Sequence, residues 1–403
     1  MSLKGTKGNV LLVQSGGCTP VMNMSLVGAF QELSSRDCFG ETYGAICGFE
    51  GLLQGHLLNL NSQPEGVWNA IGVTPGAALG SSRRKLEEAD ALKALGILKR
   101  HGVRYLFAIG GNDSAVNLHL MAKAARDCHW DMSVVLIPKT IDNDLASTDH
   151  SPGYGSAARF VALATMGIGK DAEGMGREAP IAILEVMGRN SGWLAAAAAL
   201  GKLEERDAPH LICHPEVPIE EDRVLARIEE AYRRWGYAVA VVAENAKSPD
   251  GPIGGDAALD YTDSFGHPYF EGPARYLADR VSRRLKVRAR FEKPGTIQRS
   301  LATCVSRVDS EEARLVGQAA VKAALNGHTD CMVTLLRVPG EEYRCNTGLA
   351  PLSEVVGRER VMPPEYYDAD AFSVTPEFVR YAKPLIGDDL PRFARFDVRC
   401  SSQ

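Results

Sequence analysis

The sequence predicts an α/β fold with mostly parallel sheets, on three observations. Short apolar runs recur along the chain: Val10 to Val13, Tyr105 to Ile109, Val134 to Ile137, Ile181 to Val186 and Ala238 to Val242. These continuous runs have the length of strands buried on both faces. Stretches with helical spacing of apolar residues separate them, and most runs end in glycine or proline turns. A chain of 403 residues has room for two or three domains, or for two lobes sharing one cleft.

Taken in order, Asn9 to Gln14 reads as a strand, Ser15 to Pro20 as a turn, and Val21 to Leu33 as an apolar-patterned helix. The glycine pair Gly16-Gly17 is either a phosphate cradle or a tight strand-to-helix turn that binds nothing. Tyr43 to Ile46 is a strand followed by a turn at Gly48 to Gly51. The cations Arg83, Arg84 and Lys85 stand beside small residues, as a solvated helix start or as a site for a highly charged phosphate donor. Glu87 to Arg100 is a helix feeding the next strand, and Ala115 to Arg126 is another. Beyond them come helix Tyr154 to Gly169, helix Trp193 to Leu200, strand Leu211 to Cys213 and helix Ile219 to Trp235. Ser248 to Gly266 is rich in Gly, Pro and Asp and reads as a surface loop. Helix Gly272 to Leu285, strand Val287 to Arg290, a loop at Gly295 to Arg299, helix Ser310 to Leu325 and strand Met332 to Leu336 complete the alternation, which breaks down after Pro351.

Composition narrows the function. With 45% apolar and 24% charged residues the chain is ordinary globular protein. A net charge of −5 argues against a dedicated partner of nucleic acid or of a membrane surface. Nine cysteines without a C-x-x-C pair point to reduced thiols and a cytoplasmic location. No apolar run approaches the roughly 20 residues that span a bilayer, and Val10 to Val13 is too short for a signal-peptide core.

Two loops about thirty residues apart carry the chemistry: Gly110-Gly111-Asn112-Asp113-Ser114 and Pro138-Lys139-Thr140-Ile141-Asp142-Asn143-Asp144. Each follows a buried parallel strand, so both belong at the carboxyl ends of neighbouring strands, where open α/β sheets bind ligands. Glycine lets backbone N–H groups approach an anion, and the helix after the first loop offers its positive end to phosphate. The second loop joins a lysine to two carboxylates, a grouping that is unfavourable unless metal or phosphate balances it. Together they read as a phosphoryl-transfer site. Other features are discounted. His210 and His214 flank a strand, which sets their rings roughly 13 Å apart and argues against a zinc site; Cys213 reads as a small buried hydrophobe. Arg280 to Arg290 is a solvated helix face unless Arg299 extends it into a phosphate pocket.

The spaced motifs resemble the phosphofructokinase family from about Asn9 to about Leu336. They are the first glycine loop, Gly80-Ser81-Ser82-Arg83, Gly-Gly-Asn-Asp-Ser, Thr140-Ile141-Asp142-Asn143-Asp144, Met187-Gly188-Arg189, Glu244 and Gly295-Thr296-Ile297-Gln298-Arg299. The resemblance implies two similar three-layer α/β/α lobes with the active site in the cleft between them, and phosphorylation of the C1 hydroxyl of fructose 6-phosphate. It implies a donor lobe at 1–150 completed by part of 296–350, a sugar lobe at 151–295, and an extension of unknown role at 351–403.

ATP-using members resemble Gly-Gly-Asp-Gly and Pro-Gly-Thr-Ile-Asp-Asn-Asp at the two loops; here Asp113 and Lys139 replace small residues. A carboxylate in that space repels a nucleotide's α-phosphate, and a lysine fills it while leaving room for a compact donor. The pair resembles the signature of pyrophosphate-dependent members, so pyrophosphate is the expected donor, Gly16, Gly17, Arg83 and Lys139 its contacts, and transfer reversible. The family roles fall on Asp142 as general base, Asp144 as its helper, Lys139 and Asp113 beside the transferred group, and Asn112 and Asp113 at Mg²⁺. The sugar phosphate falls to Thr140, Ile141, Asp142, Met187, Gly188, Arg189, Glu244, Arg290, Thr296, Ile297, Gln298 and Arg299. Family members often bring one arginine from a neighbouring subunit, which implies a homo-oligomer, dimer or tetramer. The family usually has aspartate where Asn112 stands, so Asp113 takes over part of the metal's binding or Mg²⁺ enters as its complex with pyrophosphate. Many members carry histidine or tyrosine at Thr296. Two alternatives are an ATP-dependent 6-phosphofructokinase and a catalytically silent phosphosugar-binding subunit. The absence of a G-x-G-x-x-G after the first strand argues against a dinucleotide oxidoreductase.

Overall fold

The computed structural model describes residues 7–249, 251–253, 261–262, 268–269 and 272–396. The early strands are β1 (Gly8–Gln14), β2 (Phe39–Ala45), β3 (Leu57–Asn59), β4 (Val103–Gly110), β5 (Ser133–Pro138), β6 (Ile181–Val186), β7 (Leu211–Cys213) and β8 (Ala238–Ala243). Short strands β9 (Lys247–Ser248) and β10 (Gly251–Pro252), then β11 (Tyr261–Thr262) and β12 (Pro268–Tyr269), form two small antiparallel pairs. The expected loop over 248–266 falls partly on these pairs and otherwise outside the described residues. Later strands are β13 (Ala289–Glu292), β14 (Cys331–Arg337) and β15 (Cys345–Pro351).

One sheet has the order β15-β14-β5-β4-β1-β2-β3, parallel apart from its edge strands β3 and β15. A second, fully parallel sheet has the order β13-β6-β8-β7. The first sheet is covered on both faces by α1 (Met22–Ser34), α4 (Glu88–Arg100), α5 (Asn112–Asp127) and α10 (Arg307–Leu325). Strand alternation does the sorting. Leu11 and Val13 pack with Leu95, Leu98 and Leu118 on one face, while Val10 and Leu12 pack with Met22, Leu26 and Val316 on the other. Helices α1 and α10 touch backbone to backbone at Gly28 and Gly317, where any side chain would collide with the carbonyls of Arg314 and Ser25.

The second sheet lies between α6 (Tyr154–Met175) and α7 (Trp193–Ala197) on one face and α8 (Glu221–Trp235) and α9 (Pro273–Leu285) on the other. The residues beyond Pro351 return to it. Through α11 (Pro376–Ala382) and its flanks they place Met362, Phe378, Tyr381, Leu385 and Ile386 in the same cluster as Tyr154 and Trp193. Removing a side chain as buried as Phe378 from such a core costs on the order of 3–5 kcal/mol, so this segment belongs to the core.

Several local expectations are corrected. Gly48 to Gly51 is the start of helix α2 (Gly48–Gln54), because Phe49, Leu52 and Leu53 share one buried face and override the turn chemistry of the glycines. β3 and α3 (Glu65–Val73) carry no strong local signal; α3 is held by Trp68 stacked on Phe30 at 3.8 Å. Helix α5 starts at Asn112, earlier than the expected Ala115, which sets Asn112 and Asp113 on its first turn.

Candidate active site

Strands β1, β4 and β5 are in-register neighbours, with Gln14 opposite Ile109 and Gly110 opposite Pro138. Their carboxyl ends therefore deliver Gly16-Gly17, Gly111-Asn112-Asp113 and Lys139 to one edge. Gly16 adopts φ +79°, a left-handed turn, and the Ser81 hydroxyl donates to its carbonyl at 2.7 Å. That contact carries the 81–83 segment to the same edge, which Arg83 lines. Lys139 is 3% exposed and donates its ammonium to the Gly17 carbonyl at 2.6 Å.

The second sheet brings the opposing wall. At the end of β6, Arg189 adopts φ +50°, and its N–H donates to Glu244 Oε1 at 3.0 Å from the end of β8. Arg189 Nε then stands 3.8 Å from Asp142 Oδ2, and the Ser191 hydroxyl donates to the Asp142 carbonyl at 3.0 Å. Gln298 is 2% exposed and accepts from the Met187 N–H at 3.2 Å. Arg299 reaches across to lie against Gly17, where a Cβ would block its guanidinium. The cleft between the two walls has a volume of about 530 Å³, the size of a small-molecule site.

Of the residues singled out from sequence, Gly16, Gly17, Arg83, Asn112, Asp113, Lys139, Thr140, Ile141, Asp142, Asp144, Met187, Arg189, Glu244, Thr296, Gln298 and Arg299 line this cleft. Gly188, Ile297 and Arg290 are not among its lining residues. Gly188 shapes the turn with φ +131°, and Ile297 is exposed at 46%. Arg290 forms an ion pair with Asp171 of α6, which takes it away from the cleft within the single chain. Further lining residues that no sequence motif marks as functional include Cys18, Glu185, Lys293 and Glu359. Lys293 pairs with the buried Glu185 at 2.9 Å. A lone carboxylate inside the apolar run Ile181 to Val186 was a signal for the first of that pair; nothing local marks Glu359.

Electrostatics follow from this burial. Desolvation lowers the Lys139 ammonium to about 8, with Arg299 and Arg189 acting in the same sense against Cys18 and Asp142. Burial raises the Asp142 carboxyl, while Arg189, Arg299 and Lys139 oppose the rise. Asp144 and Glu244 are each pushed up to about 7, by burial first and then by the negative charge of Asp142. The result is a pocket of titratable groups poised near neutrality.

Asn112 donates to Asp144 Oδ2 at 2.8 Å, while its own Oδ1 is buried and without a partner among the described residues. An orphaned carbonyl oxygen beside carboxylates is the donor set a hard divalent cation takes. Among the described residues, only His150, Glu312 and Cys345 bring three potential ligand atoms within 4.8 Å of one another. The cleft carboxylates are more widely spread, so a cation there would be shared with a bound anion or water.

The phosphofructokinase family model matches residues 9–324. The chain belongs to the phosphofructokinase family. It is 34% identical over 393 residues to the pyrophosphate–fructose 6-phosphate 1-phosphotransferase of Halomonas elongata, covering 96% of this chain and 93% of that one. To the enzyme of the same name from Rhodospirillum rubrum it is 37% identical over 391 residues, 96% of each chain. The crystal structure of a pyrophosphate-dependent phosphofructokinase from Marinobacter aquaeolei superposes with a TM-score of 0.86 at 32% identity, covering 96% of this chain and 94% of that chain. Phosphofructokinases generally use a divalent metal. Among the described residues, no helix is long and apolar enough to cross a membrane.

Proposed function

We propose that this phosphofructokinase transfers a phosphoryl group reversibly from pyrophosphate to the C1 hydroxyl of fructose 6-phosphate, giving fructose 1,6-bisphosphate and phosphate. One observation carries the choice of donor. Asp113 and the buried Lys139 both face the cleft, and the Lys139 ammonium lies on the glycine turn at Gly17, where it narrows the donor side to a compact anion. The relatives named above act on the same pair of substrates by their names.

The residue roles extend this reading. Asp142 is the general base for the C1 proton, oriented by Arg189 and by the Ser191 contact to its backbone. Arg189, Arg299 and Lys139 balance the charge that gathers on the transferred group and on departing phosphate. Asp144 holds Asn112 in place through its amide. Glu244 and Thr140 orient the sugar; Arg299 and the neighbouring Lys293 bind its 6-phosphate. Mg²⁺ fits Asn112 Oδ1 and Asp113, and when bound it supplies positive charge that screens the diphosphate. The first sheet, over 1–150 with part of 296–350, serves the donor, and 151–295 serves the sugar. A cytoplasmic location accords with the eight described cysteines, all free. A homo-oligomer, dimer or tetramer, completes the proposal, and light scattering measures it.

Purified protein with fructose 6-phosphate and Mg²⁺ is assayed with each donor in turn. Turnover with pyrophosphate and little with ATP is the expected outcome. The reverse preference would establish an ATP-dependent enzyme, and sugar-phosphate binding with neither donor used would establish a silent subunit.

A further inference from the structure

The string Thr140 to Asp144 contains one residue that faces away from the cleft. Asn143 is fully buried and adopts φ +56°, a left-handed conformation that is unfavourable outside glycine, although asparagine tolerates it best. It stands between the two carboxylates of the site, so its backbone angles set the directions of both.

What holds it there comes from more than 200 residues further along the chain. The Asn143 side-chain amide donates to the Tyr381 hydroxyl at 2.9 Å, and that hydroxyl donates to the Asp149 carbonyl at 2.8 Å. Tyr381 thus ties together the two ends of the loop from 143 to 149. Asn143 Oδ1 accepts from the Ser151 N–H at 3.1 Å, which uses the other end of its amide. Arg360 supplies a second clasp. Its backbone N–H donates to the Asp144 carbonyl at 2.7 Å, its guanidinium donates to the Asn143 carbonyl at 3.2 Å, and the same guanidinium stacks 4.1 Å over the Trp193 ring. Leu145 and Glu359 pair as an isolated antiparallel bridge beside it. The aromatic body of Tyr381 is fixed by Tyr366, stacked at 5.3 Å, and by Trp193 at 5.2 Å.

We propose that Tyr381 and Arg360 are positioning residues for phosphoryl transfer: the segment after β15 clasps Asn143 and thereby aims Asp142 and Asp144 into the cleft. A strained residue persists only where its surroundings over-determine it, and here every polar group of Asn143 that meets the segment is engaged. The inference rests on the phosphotransferase reading, because the aim of Asp142 matters only if Asp142 acts on a substrate.

Tyr381→Phe keeps the ring and its stacking and removes only the hydroxyl. The expected result is a fall in kcat between about tenfold and hundredfold, the loss that a small misplacement of a reacting group brings. KM for fructose 6-phosphate and for pyrophosphate is expected to stay within about twofold, since neither contact is touched. Asn143→Gly keeps access to the left-handed conformation and loses the shared hydrogen bond to Tyr381 together with the one from the Ser151 N–H; it should show a similar loss, and the double variant should be no worse than about twofold beyond the more impaired single one. Backbone amide exchange over 142–149 should speed by about tenfold in Tyr381→Phe and stay unchanged in β6 and β8. Unchanged exchange in that loop, a kcat within twofold of wild type, or losses that multiply in the double variant would overturn the proposal. Should wild-type protein turn over ATP alone, or nothing, the donor reading fails on that assay by itself, and the exchange measurement still decides the role of Tyr381.

Discussion

Two clusters of buried charge lie within a dozen residues of each other along the chain and are built on opposite terms. In the first, Lys139 gives its ammonium to a backbone carbonyl, Asp144 accepts from a neutral amide, and the Arg189 guanidinium meets Asp142 at 3.8 Å. In the second, His150 is held by Asp149 at 2.8 Å on one ring nitrogen and by Glu312 at 2.6 Å on the other. Arg337 pairs with Asp149 at 3.3 Å, and the Tyr343 hydroxyl donates to Glu312. The second cluster pairs its charges at hydrogen-bond distance; in the first, Lys139 and Asp144 are held by neutral groups, as in a site whose charge balance a ligand completes. Burial is similar in both, with Lys139 at 3% and His150 at 2% exposed, so the partners and not the depth distinguish the cleft cluster from the self-neutralised one.

The sharpest way to break this contrast is to remove a charge from each cluster and ask whether rate or stability suffers. Asp142→Asn should lower turnover by about a thousandfold, the usual scale of a lost general base, with fructose 6-phosphate binding within a few-fold of wild type. Its melting temperature should hold or rise, because a carboxylate that burial disfavours has gone. A loss of tenfold or less would show that Asp142 is not the base. Lys139→Gly comes next, with an expected loss of about a hundredfold in pyrophosphate turnover as a cation leaves the donor side. Combined with Asp113→Gly it should open the pocket to some ATP turnover. Unchanged pyrophosphate use in Lys139→Gly alone would remove the basis for the choice of donor.

The two clusters also differ in how far the sequence reveals them. Lys139, Asp142 and Asp144 were legible because an apolar strand leads straight into their loop, and strand ends are where parallel sheets keep ligands. Glycine pairs were less informative: at Gly16 the structure has the turn, at Gly48 it has a helix, and burial of Phe49 and Leu52 decides between them. Arg290 illustrates a second limit. Its place in an arginine-rich stretch near Arg299 suggested one phosphate pocket, but the ion pair with Asp171 ties it to α6 instead. Asp149, His150 and Glu312 stand out from no local pattern, since Glu312, the second partner of His150, lies 162 residues away. The same holds for Glu359, Arg360 and Tyr381, whose return to the catalytic loop follows from a core closed by residues beyond 351.

The self-neutralised cluster yields the smallest effect and the one with a distinct pH signature. Burial opposes charge on His150, but the hydrogen bonds to Asp149 and Glu312 outweigh it and raise the imidazole to about 9, against an ordinary value of about 6.5. A folded value above the unfolded one means the folded state holds the proton more tightly. The stabilisation is therefore complete below about pH 6.5 and disappears as pH rises through about 9, contributing on the order of 1–3 kcal/mol while present. Glu312→Gln removes one of the two carboxylates and should lower stability by a similar amount at pH 6.5, measured by urea unfolding, with turnover per folded molecule within about threefold of wild type. The gap between wild type and variant should narrow as pH passes 9, because the wild-type imidazole has by then lost the charge that Glu312 balances. A gap that stays constant from pH 6 to pH 10 would mean that Glu312 acts through packing alone, and a collapse of turnover at unchanged stability would place this cluster with the first.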